Sequence, residues 1–137
     1  MTVFLDTSAV YAAARAGTDR HSAAKAAYEG LLRGTLGLIT TDLVVAELHA
    51  LTLVRTRPAV ALDLVDRLMR SSRIDVVDSG VDRIRSALDL LFGRPNRRYS
   101  LTDAVSFVVM RELGIEAAFT LDADFAAEGF RMLPGEP

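Results

Sequence analysis

The order of short apolar runs and longer helical segments constrains the fold of this chain more than any other feature. Short strands are predicted at residues 3–5, 36–40, 74–77, 117–120 and 130–133. Helices are predicted at residues 9–15, 21–32, 42–55, 58–70, 81–92 and 100–113, and the segment 121–129 is predicted to be a loop with at most one helical turn. Strands that alternate with helices predict an α/β fold, with a mainly parallel sheet covered by helices on both faces.

The composition is that of an ordinary globular protein, and it excludes several kinds of site. Half of the 137 residues are hydrophobic, which predicts one domain over residues 1–137. Because the chain has no cysteine, disulfides and cysteine-ligated zinc are excluded. The net charge is −2, so nucleic acid would have to be held by metal ions or by a local basic patch.

The chain is expected to be cytoplasmic and to have no membrane-spanning segment. Its first residues carry no basic region and reach an acid at Asp6, unlike a secretory signal peptide. The longest apolar stretch, residues 36–54, contains Asp42 and Glu47, and a membrane span does not readily carry two carboxylates.

Asp6 directly follows the first predicted strand, which reads Val3-Phe4-Leu5. In open α/β sheets, ligands bind outside the carboxyl ends of the strands, where helix N-termini also point. Asp6 is therefore a candidate site residue. The alternative is a helix N-cap, although Thr7 or Ser8 can serve as the cap instead.

Glu47 lies in the middle of a strongly apolar predicted helix. Residues four apart share a helix face, so Glu47 is expected on an apolar stripe between Leu43 and Leu51. A buried carboxylate is costly unless it is compensated. The compensating partner is either an arginine in a buried ion pair or a metal ion.

Asp103 begins the predicted helix 100–113, in the sequence Ser100-Leu101-Thr102-Asp103. Serine followed three residues later by an acid is a capping-box pattern, so a structural role explains this residue by itself. Asp103 also heads a stripe that continues through Phe107 and Met110, which predicts a position on the inner face of the helix. The two roles are compatible.

Asp122 and Asp124 follow the predicted strand at residues 117–120. If this segment stays extended, the two side chains share a face, because strand side chains alternate. An ordinary turn is the alternative. We favour Asp122 as the site residue because it is nearer to the end of the strand, and keep Asp124 as a second candidate.

These acids are expected to meet at one rim of the sheet. Carboxylates gathered there repel one another, and the pKa of each is raised unless a cation is present. Ligation by oxygen alone, without histidine or cysteine, suits Mg²⁺ or Mn²⁺ better than zinc. The residues therefore predict a divalent metal site.

The order of these motifs resembles that of the PIN-domain nucleases, and within them the VapC-type toxins of bacterial toxin–antitoxin pairs. The resemblance spans the chain from residue 4 to residue 130, and residues 101–110 are its most specific segment. It rests on Asp6 followed by threonine and serine, on Glu47 in its apolar helix, on Ser100 to Asp103, and on residues 120–125.

The resemblance implies a three-layer α/β fold and a Mg²⁺-dependent endoribonuclease that cleaves RNA phosphodiester bonds with metal-activated water, Mn²⁺ being able to substitute. It implies a homodimer that is neutralised by a small antitoxin. Matching the motifs residue by residue assigns the catalytic acids as Asp6, Glu47, Asp103 and Asp122. The metal ligands are expected to be Asp6, Asp103, Asp122 and Asp124, and the substrate-orienting residues Thr7 and Ser8.

RNA binding is expected to depend on arginines, which suit phosphate contacts. The candidates are Arg15 near the first helix and Arg97 and Arg98 in the most loop-like interior segment. Solvated surface charge is the alternative explanation for each of them.

Two other functions fit the same pattern of acids. One is a PIN nuclease that processes RNA without any antitoxin. The other is a phosphotransfer domain with Asp6 as nucleophile, but such a site usually has a lysine near the phosphate, and Lys25 is poorly placed for that role.

Overall fold

The computed structural model describes residues 1–135 and contains five strands and seven helices. The strands are β1 (Thr2–Leu5), β2 (Gly37–Thr41), β3 (Ile74–Val77), β4 (Ala117–Phe119) and β5 (Arg131–Leu133). The helices are α1 (Thr7–Ala14), α2 (His21–Arg33), α3 (Asp42–Arg55), α4 (Pro58–Arg70), α5 (Gly80–Phe92), α6 (Leu101–Glu112) and α7 (Asp124–Ala127).

The five strands form one sheet in the order β3-β2-β1-β4-β5, and every pair of neighbours is parallel. The predicted α/β class with a mainly parallel sheet is therefore confirmed. Leu5 pairs with Phe119, so the carboxyl ends of β1 and β4 lie side by side at the centre of the sheet. The backbone continues this pairing, because Asp6 N–H donates to the Phe119 carbonyl at 3.0 Å.

Each face of the sheet has its own apolar core, which confirms the three-layer arrangement. Val3 and Leu5 point to one face and pack with α1 and α2, whereas Phe4 points to the other and packs with α6. All three are fully buried. Burial of each such side chain contributes about 2 kcal/mol of hydrophobic free energy.

Aromatic contacts hold the short helix α7 against α6. The rings of Phe107 and Phe125 meet edge to face with their centroids 4.9 Å apart, a favourable arrangement for two quadrupoles. Since α7 begins at Asp124, this contact also fixes the segment that follows β4. The predicted single helical turn in 121–129 is confirmed.

The start of the first helix differs from the prediction. We expected Thr7 or Ser8 to cap a helix beginning at residue 9, but α1 begins at Thr7 and Asp6 occupies the N-cap position. The Asp6 side chain makes no capping hydrogen bond, because hydroxyl groups from elsewhere in the fold engage it.

Among residues 1–135, no helix is both long enough and apolar enough to cross a membrane. The predicted domain extends to residue 137, and its last two positions lie outside the described residues.

Candidate active site

Asp6 is a buried carboxylate at the carboxyl end of β1, and it is held by two hydroxyl groups. Ser8 Oγ donates to Asp6 Oδ2 at 2.7 Å, and Thr120 Oγ1 donates to the same oxygen at 2.8 Å. Asp6 stands at the N-cap position of α1, but its side chain makes no capping hydrogen bond to the helix, and its Oδ2 accepts from Ser8 and Thr120 instead.

Burial is the main influence on Asp6 and raises its pKa, since a charged carboxylate is poorly solvated there. The hydrogen bonds from Ser8 and Thr120 oppose this shift. The negative charges of Glu47 and Asp122 raise the pKa further, which shows that these acids are electrostatic neighbours of Asp6.

Glu47 lies at the edge of the buried stripe of α3 and not within it. The buried residues of this helix are Val44, Leu48 and Thr52, and Glu47 is half-buried beside them. The prediction that apolar residues enclose it is therefore only partly right. The buried ion pair fails as an explanation, because Glu47 forms no salt bridge within residues 1–135.

Partial burial raises the pKa of Glu47, and the charges of Asp103 and Asp122 add to this effect. The hydroxyl groups of Thr7 and Thr102 oppose it by stabilising the ionised form. The Thr7 hydroxyl is buried, yet its geometry satisfies no hydrogen bond with any residue in the described part of the chain. A buried hydroxyl without a partner is uncommon, and a small movement towards the Glu47 carboxylate would satisfy this one.

Asp103 has both of the roles that the sequence allowed. Its Oδ2 accepts the Ser100 backbone N–H at 3.1 Å, while Ser100 Oγ accepts the Asp103 N–H at 3.0 Å, which completes the capping box of α6. Burial raises the pKa of Asp103 to about 6, and the charges of Asp6 and Asp122 contribute to the increase. The capping box therefore orients a carboxylate that its acidic neighbours destabilise.

Asp122 and Asp124 approach each other for a reason other than the one predicted. The segment after β4 does not stay extended. Instead, Asp122 Oδ1 accepts the Asp124 N–H at 2.9 Å in a turn at the start of α7. Burial raises the pKa of Asp124, and Asp122 raises it further. The turn interpretation is thus correct, and it still brings both carboxylates to one site.

The three half-buried acids Asp103, Asp122 and Asp124 can each offer an oxygen such that these oxygens lie within 4.8 Å of one another. Three carboxylate oxygens this close could hold one Mg²⁺, with water molecules filling its remaining positions. Among residues 1–135, Asp6 is not part of this group of three. The donor chemistry, three carboxylates, fits a hard cation.

The two polar residues after Asp6 have different surroundings. Ser8 Oγ is committed to the protein, because it donates to Asp6 and accepts the Leu121 N–H at 2.9 Å. Thr7 keeps an unpaired hydroxyl near Glu47. Of the two predicted substrate-orienting residues, Thr7 is the one whose hydroxyl lies near Glu47.

The sequence-based prediction of the site missed two threonines. Thr120 is fully buried between β1 and β4 and bonds to Asp6, and Thr102 faces Glu47 from the first turn of α6. The available signal was their closeness in sequence to acids, since Thr102 directly precedes Asp103 and Thr120 lies two residues before Asp122.

The structure places the three candidate RNA-binding arginines differently. Arg15 follows the last turn of α1, which begins beside Asp6, so about 12 Å of helix separates it from the acids. Arg97 and Arg98 are exposed in the loop before α6. Arg97 is near the site, because its charge lowers the pKa of Asp124 against the larger effects of burial and Asp122.

Comparisons with known proteins agree with this geometry. The PIN domain family model matches residues 3–130. The chain is 35% identical over 130 residues to the 23S rRNA-specific endonuclease VapC20 of Mycobacterium tuberculosis, in strains CDC 1551 / Oshkosh and H37Rv, and the match covers 93% of this chain and 95% of that protein.

A solved structure is also similar. The crystal structure of Mycobacterium tuberculosis VapC20, described as a sarcin–ricin loop cleaving toxin, superposes with a TM-score of 0.86 and 31% sequence identity. The superposition covers 93% of this chain and 95% of that one. The similarity therefore extends over most of the chain.

Proposed function

This chain belongs to the PIN-domain family and is an endoribonuclease of the toxin type, and we propose that the acids at the rim of its sheet bind Mg²⁺ and hydrolyse RNA. The observation that carries the proposal is the convergence of Asp103, Asp122 and Asp124 to within 4.8 Å. Three carboxylates this close repel one another in the absence of a cation.

Asp103, Asp122 and Asp124 would hold the cation, with Mn²⁺ able to replace Mg²⁺. Asp6 would bind from the sheet side through the oxygen that Ser8 and Thr120 leave free, since both hydroxyls engage Oδ2. A divalent cation supplies an activated water molecule and neutralises charge that develops on the phosphodiester.

The protein residues around the cation would position the reactants. Glu47 is half-exposed beside the acids, so it can accept a proton from the attacking water. Thr7 would orient substrate indirectly, by donating its hydroxyl to the Glu47 carboxylate. Asp6, Glu47, Asp103 and Asp122 are thus the proposed catalytic acids.

We propose a loop of 23S ribosomal RNA as the substrate. The support is the 35% identity to an endonuclease specific for 23S rRNA and the likeness to a toxin that cleaves the sarcin–ricin loop. Arg97 and Arg98, exposed beside the acids, are proposed to contact its phosphates. Arg15 has less support because α1 carries it away from the acids.

The partners are proposed to be a small antitoxin and a second copy of this chain in a homodimer, all in the cytoplasm with the substrate RNA. Two observations support protein partners. Helix α4 exposes Leu62 and Met69 by 58% and 55%, and a cavity of about 320 Å³ lies between α1, α2 and α4. Apolar surfaces of this kind mark interaction sites.

The phosphotransfer alternative has less support, since the relatives of the chain are named as endonucleases. The geometry agrees with this, because Asp6 is 3% exposed and Lys25 lies on α2, beside the α4 cavity. A PIN nuclease without an antitoxin remains the second candidate. Capture of a small protein on the tagged chain in its native host would support the antitoxin, and the free chain alone would support the second candidate.

The proposed activity is tested by incubating purified protein with intact ribosomes and Mg²⁺ and mapping the new RNA ends. We expect one main cut in 23S rRNA. Asp6→Asn and Glu47→Gln are each expected to slow it by about 10²- to 10³-fold, the usual effect of removing one preorganised electrostatic group.

Asp19→Asn is the matched control, because Asp19 is an exposed acid away from the rim. It should cleave at the wild-type rate. Undiminished cleavage by both site variants would overturn the assignment of the acids. No cleavage of any RNA by the wild-type chain, with Mg²⁺ or Mn²⁺, would overturn the proposed activity itself.

A further inference from the structure

Glu128 is a buried acid outside the proposed metal site, and it bonds to three side chains. Its side chain is 5% exposed. Its carboxylate accepts from Arg94 Nε at 3.1 Å, from Arg111 Nη2 at 3.0 Å and from the Tyr99 hydroxyl at 2.9 Å. A carboxylate that accepts hydrogen bonds from two guanidinium groups and a phenol fixes the positions of all three side chains relative to one another.

Two of the three partners of Glu128 lie at the two ends of one exposed loop. Arg94 and Tyr99 bracket residues 95–98, all of which are exposed. Arg111 belongs to α6 and also bonds to the Glu128 backbone carbonyl at 3.0 Å. Glu128 therefore ties the start and the end of this loop to the rigid pair α6 and α7.

The loop in turn holds Arg97 next to the acidic site. The Arg97 guanidinium carbon lies 6.0 Å from the centroid of the Tyr99 ring, at cation–π distance. The Arg97 N–H also donates to the Arg94 carbonyl at 3.0 Å, which closes the turn between the two anchors. The Tyr99 ring that Arg97 covers is bonded through its hydroxyl to Glu128, whose N–H bonds to the Asp124 carbonyl, so the loop is linked to the acidic site through α7.

One helical turn connects the two functions of α7. Asp124 begins this helix and contributes to the cluster of three acids. Glu128 ends it, and its N–H donates to the Asp124 carbonyl at 3.1 Å. Glu128 and the proposed metal ligand Asp124 therefore lie at the two ends of one short helix.

We propose that Glu128 is a positioning residue, which holds Arg97 through Tyr99 and Arg94 so that its guanidinium meets a substrate phosphate beside the acidic cluster. The proposal rests on the proposed function, because it assigns a substrate contact to that site. Glu128 itself touches neither substrate nor metal. It acts by limiting the number of positions that the loop can adopt before RNA binds.

The direction in which RNA affinity changes distinguishes this proposal from a simple effect of net charge. Replacing Glu128 by glutamine removes a negative charge from a protein of net charge −2, so bulk charge alone predicts tighter binding to RNA. Loss of a fixed Arg97 predicts weaker binding. The two explanations therefore give opposite results in one experiment.

The experiment measures binding of a short fluorescent single-stranded RNA over a range of salt, together with KM and kcat for cleavage. Glu128→Gln is expected to weaken binding and raise KM about fivefold at low salt. The slope of log K against log salt should become shallower by about 0.7, the value for one phosphate contact on a single strand. The value of kcat should stay within about twofold, since ground-state and transition-state binding are lost equally.

Arg97→Ala completes a double-mutant cycle with Glu128→Gln. We expect the glutamine substitution to have no further effect on RNA binding once Arg97 is absent, because the two residues act through one contact. A merely structural role for Glu128 would lower RNA binding equally in both backgrounds. Tyr99→Phe, which removes only the hydroxyl that reaches Glu128, should shift KM in the same direction by a smaller factor.

Glu112→Gln is the matched control, since Glu112 also pairs with an arginine, Arg83, and among residues 1–135 it has no hydrogen bond or ion pair with the loop. Tighter or unchanged RNA binding by Glu128→Gln and Tyr99→Phe, in line with Glu112→Gln, would overturn the proposal. Absence of any RNA cleavage by the wild-type chain would instead overturn the proposed function, while the binding cycle would still decide the role of Glu128. If Glu128→Gln proves unfolded by circular dichroism, Tyr99→Phe decides the question alone.

Discussion

Asp103→Asn is expected to slow Mg²⁺-dependent RNA cleavage by about 10²- to 10³-fold and, at the same time, to stabilise the metal-free protein. Asparagine keeps an oxygen that can accept the Ser100 N–H, so the capping box of α6 is retained. The substitution removes a charge that Asp6 and Asp122 repel. Because Asp103 is partly exposed, solvent screening limits the gain to about 1 kcal/mol, or roughly 2–4 °C in the unfolding midpoint.

Asp82→Asn is the control for this experiment, because Asp82 also lies in the first turn of a helix but is fully exposed. It should alter neither cleavage nor the unfolding midpoint. Opposite changes of activity and stability in Asp103→Asn indicate a strained functional site. A loss of both would show that Asp103 serves mainly as a helix cap and would contradict the assignment.

The second large effect is the dependence of Mg²⁺ affinity on pH. The pKa of Asp103 is raised to about 6, mainly by burial, so a proton competes with the cation below that pH. One proton at pKa 6 weakens the apparent affinity about tenfold between pH 7 and pH 5. Calorimetric titration of Mg²⁺ at the two pH values measures this ratio, and Asp103→Asn should reduce both the affinity and its pH dependence.

The metal-free protein should show the opposite trend in stability. A carboxyl group whose pKa is raised in the folded state binds its proton more tightly there, so its stabilising contribution is present at low pH and is lost as pH rises from about 4 to 6. Desolvation acts to raise the pKa of Asp42 and of Glu128, but their hydrogen bonds outweigh it and lower both pKa values, so the stability that these two acids contribute is lost only at lower pH. Between pH 5 and pH 7 the unfolding midpoint should therefore fall without metal and recover with Mg²⁺. A midpoint that rises over this window without metal would contradict the account.

The main features of the fold could be predicted because they depend on local patterns. Short apolar runs separated by amphipathic helices determine a parallel sheet, and parallel strands bring their carboxyl ends to one rim. The position of Asp6 at this rim follows directly from that rule. Asp103 could be predicted as a helix cap from four consecutive residues, and the structure shows the cap.

The partners of the acids could not be predicted in the same way, because they depend on contacts distant in the sequence. Thr120 bonds to Asp6 although the two residues are 114 positions apart, and neither local sequence indicates this hydrogen bond. The same is true of Glu128, whose partners Arg94 and Tyr99 lie 34 and 29 positions away.

Two predictions placed acids near the site correctly but for the wrong structural reason. Glu47 was placed within the buried stripe of α3, but the actual stripe is offset by one residue, through Leu48. Helical periodicity indicates a face only to within about one residue when apolar side chains surround it on every side. Asp122 and Asp124 meet through a turn and not through an extended strand, because Asp122 caps the amide of Asp124.

The central claim is that Asp103, Asp122 and Asp124 form a divalent metal site at the rim of the sheet. It is tested most directly by soaking crystals of the full chain in Mn²⁺ and locating the metal from its anomalous scattering. We expect a peak about 2.0–2.2 Å from oxygens of these three carboxylates, with the Asp6 carboxylate facing it. A crystal without Mn²⁺ at this rim, or with Mn²⁺ bound only elsewhere on the protein, would contradict the claim.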